Sequence, residues 1–251
     1  MVSRINGKIA LAGGAGNVGE GIVRAFLQEG ATVVASSCSS KSLEELRSHL
    51  GELATDRYVT MTADFGEIES VEKLRDDILN QFGQLDAVVA SLGGTWKENM
   101  PLTQVSITDW QKYLLSNLTT HFIAARTFLP SLQYQQGSTY TFIGGAAAEI
   151  PIPNYSLVAI PAAAQLMLAQ MAIAEMKETY TRINEVVIHS WVSTRSTKGI
   201  EQPEWITADD VGKYVAWLAC DEAYMVAGSI IRLYQRYADP THSRSHANIT
   251  S

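Results

Sequence analysis
Short unbroken apolar runs alternate along this chain with longer segments in which apolar residues return every three to four positions. The runs predict a strand at 8–12, a second one ending at Ala35, and others at 57–62, 85–90, 139–143, 183–188 and 229–233. The periodic segments predict helices between them. The first carries Val18, Ile22, Val23, Phe26 and Leu27 on one face and is closed by Gly30; the next spans 42–50 through Leu43, Leu46 and Leu50. Val71, Leu74, Ile78 and Phe82 give a helix over 69–82. Thr108-Asp109-Trp110-Gln111 has the form of a capping box opening a long helix to Leu129. Further helices are expected at 159–176 and, capped by Thr207, at 208–219. Strands alternating with helices in this way predict an α/β fold, a doubly wound parallel sheet of about seven strands with helices on both faces.

The junction between the first strand and the first helix is rich in glycine. Gly13 and Gly14 allow a tight turn, Gly16 lets backbone approach a diphosphate, and Gly19 is expected to let helix and sheet pack closely. The spacing Gly14-x-Gly16-x-x-Gly19 follows a strand and opens a helix, the context in which free helix-start amides and the helix dipole hold a dinucleotide.

The 251 residues, 46% of them hydrophobic and 18% charged, suit one domain with one large core, expected over 1–237, followed by a polar, frayed tail at 238–251. A net charge of −7 with no basic cluster argues against nucleic acid and for a small-molecule ligand. Cys38 and Cys220 are too few for a disulfide framework or a metal site. They read as free thiols of a reducing compartment, no run is expected to approach a membrane span, and a cytoplasmic protein follows. His242 and His246 lack a third metal ligand nearby, and His49, His121 and His189 read as isolated structural residues, so no metal is expected.

Several segments together resemble the short-chain dehydrogenase/reductase family, from about residue 6 to 234. Ala12-Gly13-Gly14-Ala15-Gly16-Asn17-Val18-Gly19 is similar to that family's glycine turn, with Ala12 for its threonine and Asn17 for its middle glycine. Asp64, followed by Phe65, stands at its adenine-contacting aspartate. Ala90-Ser91-Leu92-Gly93 replaces its N-N-A-G, Asn117 matches its helix-kinking asparagine, and Cys220-Asp221-Glu222-Ala223 resembles its S-D-E-A turn. The resemblance implies a single Rossmann domain and a cofactor site formed by Gly13, Ala15, Gly16, Asn17, Val18, Gly19, Ser37, Cys38, Asp64, Phe65, Ala90, Ser91 and Gly93.

The family's catalytic serine, tyrosine and lysine align with Gly145, Val158 and Ala162, and Ile188-His189 replaces its P-G after the sixth strand. A phenol with a reference pKa of about 10 needs nearby positive charge to exchange protons at neutral pH. Without a lysine at 162, alcohol oxidation is disfavoured. Ile152-Pro153-Asn154-Tyr155 is similar to the tyrosine segment of enoyl-acyl-carrier-protein reductases, a divergent branch of the family, whose lysine seven residues on again falls at Ala162. Tyr155 is therefore the candidate hydrogen-bond donor, and Asn117 the candidate holder of a water or of the active-site helix. With no acid at Ser37 or Cys38, and with Ser36, Ser39, Ser40 and Lys41 in reach, the cofactor reading leans to NADP(H) over NAD(H).

These features predict a reductase of a carbonyl, enone or imine in a small molecule by hydride transfer. The alternatives are a dinucleotide-binding sensor or partner subunit without redox chemistry, and a cofactor-assisted isomerase or lyase. The long helices 108–129 and 159–180 are apolar on more than one face, which predicts a homodimer or homotetramer.

Overall fold
The computed structural model describes residues 5, 7–14, 16–93 and 100–235. Ala15 of the glycine turn, Gly94, Tyr237, His242, His246 and the 238–251 tail lie outside the described residues. In chain order the elements are β1 Ile9–Gly13, α1 Asn17–Gln28, β2 Thr32–Ser37, α2 Ser40–Leu50, β3 Tyr58–Thr62, α3 Ile68–Phe82, β4 Ala87–Ala90, α4 Ile107–Leu114, α5 Thr120–Leu132, β5 Thr139–Gly145, α6 Ser156–Glu175, β6 Arg182–His189, β7 Val192–Ser193, β8 Ile206–Thr207, α7 Ala208–Leu218 and β9 Ser229–Tyr234. Seven strands form one sheet in the order β3-β2-β1-β4-β5-β6-β9, every neighbouring pair parallel; β7 and β8 make a separate short pair.

The sheet has a core on each face. Ile22, Phe26, Leu43, Leu46, Val211 and Val215 pack α1, α2 and α7 on one side. Val71, Leu74, Phe128, Leu132 and Ala169 pack α3, α5 and α6 on the other. Of the apolar face of α1, Ile22, Val23, Phe26 and Leu27 are buried, each worth about 1.5–3 kcal/mol relative to an exposed position, and Val18 in the first turn is half-buried. Gly30 follows the end of α1 with φ +94°, the left-handed geometry expected of it. Thr207 caps α7 reciprocally: its hydroxyl accepts from the Asp210 amide at 3.0 Å, and its own amide donates to the Asp210 carboxylate at 3.0 Å.

Two expectations need correction. The helix after β4 is capped by Ser106 and not opened at Thr108, because the Ser106 hydroxyl accepts from the Asp109 amide at 3.0 Å. It is also not one α-helix, since a π-turn over Leu115–Thr119 separates α4 from α5. Contrary to the reading that no run approaches a membrane span, α6 is long and apolar enough to cross one, with 20 residues and a hydropathy of 1.8. Here α6 lies on the sheet, burying Leu157, Gln165, Ala169 and Ala172 and exposing Ile160, Met167 and Met171.

Candidate functional site
The strand order reverses at β1, which lies between β2 and β4, so the crossovers leave the carboxyl ends of β1 and β4 on opposite faces and a crevice opens there. Gly13 ends β1. Gly14 turns the chain with φ +95°, donates its amide to the Ser36 carbonyl at 3.0 Å, and runs so close to β4 that a Cβ on it would collide with the Ser91 carbonyl. Gly16 stands at the N-cap of α1 in extended geometry and supplies no side-chain acceptor to the helix amides. A Cβ on Gly16 would meet nothing within 4 Å. Asn17 opens the helix at φ +36°, a left-handed value that asparagine tolerates, and half-buried Val18 faces the core. An open backbone wall beside uncapped helix amides fits a diphosphate.

Gly19 is small for a reason other than the expected one. A Cβ there would strike the carbonyl of Gly14, so Gly19 holds the turn closed and does not space the helix from a strand.

The other predicted contact residues gather along the same edge. Ser37 ends β2, with Cys38 exposed just beyond it. Asp64 is exposed after β3, its carboxylate accepting from the Gly66 amide at 2.8 Å and its amide donating to the Ser70 hydroxyl at 2.9 Å. Phe65 is buried below the turn against Gly13. Ala90 ends β4, the Ser91 amide donates to the Gly13 carbonyl at 3.0 Å, and Gly93 turns away at φ +135°. Gly93 passes beside the Asn117 side-chain oxygen.

Asn117 sits at the centre of the π-turn. Its amide donates to the Tyr113 carbonyl at 3.1 Å and to the Ser116 hydroxyl at 2.9 Å, so it stabilises the deformation itself. One turn on, buried His121 bonds the Leu92 carbonyl at 3.2 Å and tethers the segment after β4. Burial lowers its pKa to about 4, which keeps the ring neutral.

Tyr155 lies at the N-cap of α6, half-buried, after Asn154 in left-handed geometry at φ +69°. Gly145 ends β5 with open space where a side chain would project, and Val158 and Ala162 occupy the first two turns of α6.

His189 is not isolated. It ends β6 and meets the Glu149 carboxylate at 2.7 Å, while Glu149 also takes two hydrogen bonds from the Arg232 Nε at 2.9 and 3.1 Å. A second group also escaped the sequence reading. Glu20, buried on α1, binds Arg24 at 2.8 Å and Arg195 at 2.6 Å, and Arg24 reaches Asp209 at 2.5 Å. This network clips the segment after β6 to α1 around a cavity of about 190 Å³ that Asn17 also lines. The only advance signal was the i,i+4 spacing of Glu20 and Arg24.

Residues 13–233 match the family described as enoyl-(acyl carrier protein) reductase. The chain is 25% identical over 242 residues to a 3-oxoacyl-(acyl-carrier-protein) reductase of Haemophilus influenzae, covering 91% of this chain and 97% of that protein. It is 24% identical over 251 residues to glucose 1-dehydrogenase 2 of Bacillus subtilis, covering 92% and 95%. Among solved structures, a dehydrogenase/reductase from Sinorhizobium meliloti superposes with a TM-score of 0.81 at 24% identity, over 93% of this chain and 96% of that one. A match running from the glycine turn to the last strand, on the same seven-stranded sheet, means that the chain belongs to the short-chain dehydrogenase/reductase family.

Proposed function
We propose that this protein is an NAD(P)(H)-dependent reductase of a carbonyl, enone or imine group in a small molecule. The observation that carries this reading is the turn itself: left-handed Gly14, open Gly16 and the Gly19–Gly14 contact form a backbone cradle at the sheet's reversal point. When bound there, a reduced dinucleotide supplies hydride. Tyr155, at the start of α6, orients the substrate oxygen by donating a hydrogen bond, and Asn117 keeps the π-turn that shapes the neighbouring wall. Alanine at 162 stands where the family's lysine would, and the loss of that lysine favours reduction over alcohol oxidation.

The preference for NADP(H) rests on fewer residues than the sequence offered. Ser36 is fully buried in β2, and Ser39 caps α2 by accepting from the Ser42 amide at 3.2 Å. Cys38, Ser40 and Lys41 remain exposed beside the α2 N-terminus, a setting that accepts a phosphate. The exposed Cys38 thiol suits a reducing, cytoplasmic setting. The apolar side chains that α5 and α6 leave exposed, Phe122, Met167 and Met171, suit burial in a homodimer or homotetramer, and light scattering at micromolar concentration reads the assembly.

A second reading, a dinucleotide-binding protein without redox chemistry, is motivated by the combined absence of serine, tyrosine and lysine at Gly145, Val158 and Ala162. Calorimetric titration with NADPH and NADH, followed by NADPH consumption with cyclohexanone, 2-cyclohexenone, ethyl acetoacetate and 1-pyrroline, separates the two. Binding with turnover supports the reductase. Tight binding with no turnover across the panel favours the second reading, and failure to bind either dinucleotide removes both.

A further inference from the structure
The end of the sheet where the family's catalytic residues are missing carries a different ionisable arrangement. His189 is the last residue of β6, and the residue before it, Ile188, is the cross-strand partner of Gly145, the position that aligns with the family's serine. Adjacent strands lie about 4.8 Å apart. The imidazole therefore belongs to the same carboxyl edge as Gly145, on the opposite face of the sheet, the one that Gly144 and Glu185 share with α6.

Three groups fix the ring. Glu149, from the segment after β5, contacts Nε2 at 2.7 Å. Arg232 of β9 grips the same carboxylate through Nε and its terminal nitrogen. Tyr234, paired with His189 across β6 and β9, packs against the ring at a tilt of 43°, with 5.1 Å between ring centroids. The His189 side chain is 10% exposed and Glu149 20%. Arg232 first, and His189 after it, hold the Glu149 carboxyl below its ordinary range, so it stays an anion facing the ring. Among the described residues Glu185, four positions before His189 on the same face of β6, is a further charged group and senses both Glu149 and Arg232.

We infer that His189, oriented by Glu149, delivers the proton to the substrate oxygen at this site. With Nε2 turned to Glu149, Nδ1 is the atom that can meet a substrate, and the carboxylate beside Nε2 fixes the orientation of the ring. In the transfer the Nδ1–H bond breaks and an O–H bond forms. The C=O π pair becomes the new O–H bond as the carbon accepts hydride from the reduced nicotinamide, and neutral His189 regains its proton from solvent. Tyr155 then needs only to orient the carbonyl, which a phenol can do as a hydrogen-bond donor. This rests on the reductase reading above. Its rival is a purely mechanical clip, in which Glu149 ties β5, β6 and β9 together and the imidazole takes no part in chemistry.

His189→Asn separates the two, because asparagine can still donate to Glu149 but cannot titrate. The wild type and this variant are compared for NADPH affinity, melting temperature and kcat on whichever panel compound the wild type reduces. Expected are unchanged NADPH affinity, little change in melting, a loss of kcat of about 100-fold or more, and disappearance of the corresponding limb of the pH–rate profile. Imidazole in the buffer should restore part of the rate to His189→Gly. A readout independent of turnover uses ¹⁵N-histidine-labelled protein. The Nδ1 resonance of His189 should move when NADP⁺ and the product alcohol are added together, and Glu149→Gln should lose the single Nε2–H tautomer at alkaline pH. Wild-type turnover that survives His189→Asn within threefold, or a still Nδ1 resonance, overturns this inference and leaves the reductase reading standing. No wild-type turnover beside tight NADPH binding overturns both.

Discussion

Gly21 of α1 and Gly212 of α7 meet backbone to backbone: a Cβ on Gly212 would collide with the Gly21 carbonyl, and a Cβ on Gly21 with the carbonyl of Ala208. In an exposed helix, replacing glycine by alanine stabilises by about 1 kcal/mol through backbone entropy. Here the two helices would have to separate over the core that holds Ile22, Val211 and Val215. Overpacking of this kind costs about 1–3 kcal/mol, so the sign reverses. Gly21→Ala and Gly212→Ala are each expected to lower the midpoint of urea unfolding. An unchanged or raised midpoint for both would show that the helices can part freely.

The glycine turn makes a sharper distinction. Gly16→Val projects into open space, so it should leave thermal unfolding near that of the wild type while abolishing dinucleotide binding measured by calorimetry. Gly19→Val strikes the Gly14 carbonyl and should damage binding and stability together. Asn17→Gly relieves a left-handed backbone at φ +36° and should retain both. Gly16→Val binding NADPH as the wild type does would remove the turn from the cofactor site.

Glu185 gives the protein a pH signature. It is fully buried on β6 against Gly144 and Gln165; burial pushes its carboxyl from 4.5 to about 7, with the Gln165 side chain acting in the opposite direction. The unfolded chain ionises near 4.5 while the fold holds the proton to about 7, so this group's contribution is full at low pH and is lost as pH rises through that window. Buried His121, lowered from 6.5 to about 4, acts in the reverse sense, and its contribution is lost as pH falls from 6.5 to 4. The two slopes oppose each other where the windows overlap. Glu185→Gln removes one of them. At about 1.4 kcal/mol per tenfold in proton affinity, the variant should be more stable than the wild type above pH 7 by on the order of 1–3 kcal/mol, and the two should converge near pH 4.5. A difference that does not vary with pH would rule out a protonated Glu185 in the fold.

What the sequence made legible follows the range of the forces involved. Apolar periodicity is local, so the helices of Val71, Leu74 and Ile78 or of Ile22 and Phe26 could be placed within a few residues, and the parallel order followed from their alternation with strands. The turn was legible because Gly14, Gly16 and Gly19 lie within six consecutive positions. The clusters at Glu20–Arg195 and Glu149–His189–Arg232 were not, because their members are separated by 175, 40 and 83 positions and carry no repeating pattern. The cap at Ser106 was misplaced by two residues because Ser106 and Thr108 both precede plausible partners, and only the backbone decides between them. The role of Gly19 was misassigned because spacing reveals that a residue is small, not which neighbour requires it.

The cofactor preference turns on one short segment. Ser37 pairs with Thr62 at the end of β2, and Cys38 follows it, exposed, ahead of the Ser39 cap of α2. If NADP(H) binds, its 2′-phosphate meets this corner with Lys41, whose side chain is 86% exposed and only loosely paired with Glu45 at 3.9 Å. An aspartate in place of Cys38 would accept hydrogen bonds from the ribose hydroxyls of NAD(H) and repel a phosphate. At 4 Å, with effective dielectric constants between those of water and a protein surface, that repulsion is on the order of 1–4 kcal/mol. Cys38→Asp should therefore weaken NADPH binding by about tenfold or more while leaving NADH binding equal or tighter, and Lys41→Ala should weaken NADPH alone. Both effects shrink in high salt, because the corner is exposed and screened. Calorimetry with both dinucleotides at low and high salt reads all of this. Affinities for NADPH and NADH that fall together in Cys38→Asp would mean that this corner does not meet the ribose, and the preference for the phosphorylated cofactor would lose its basis.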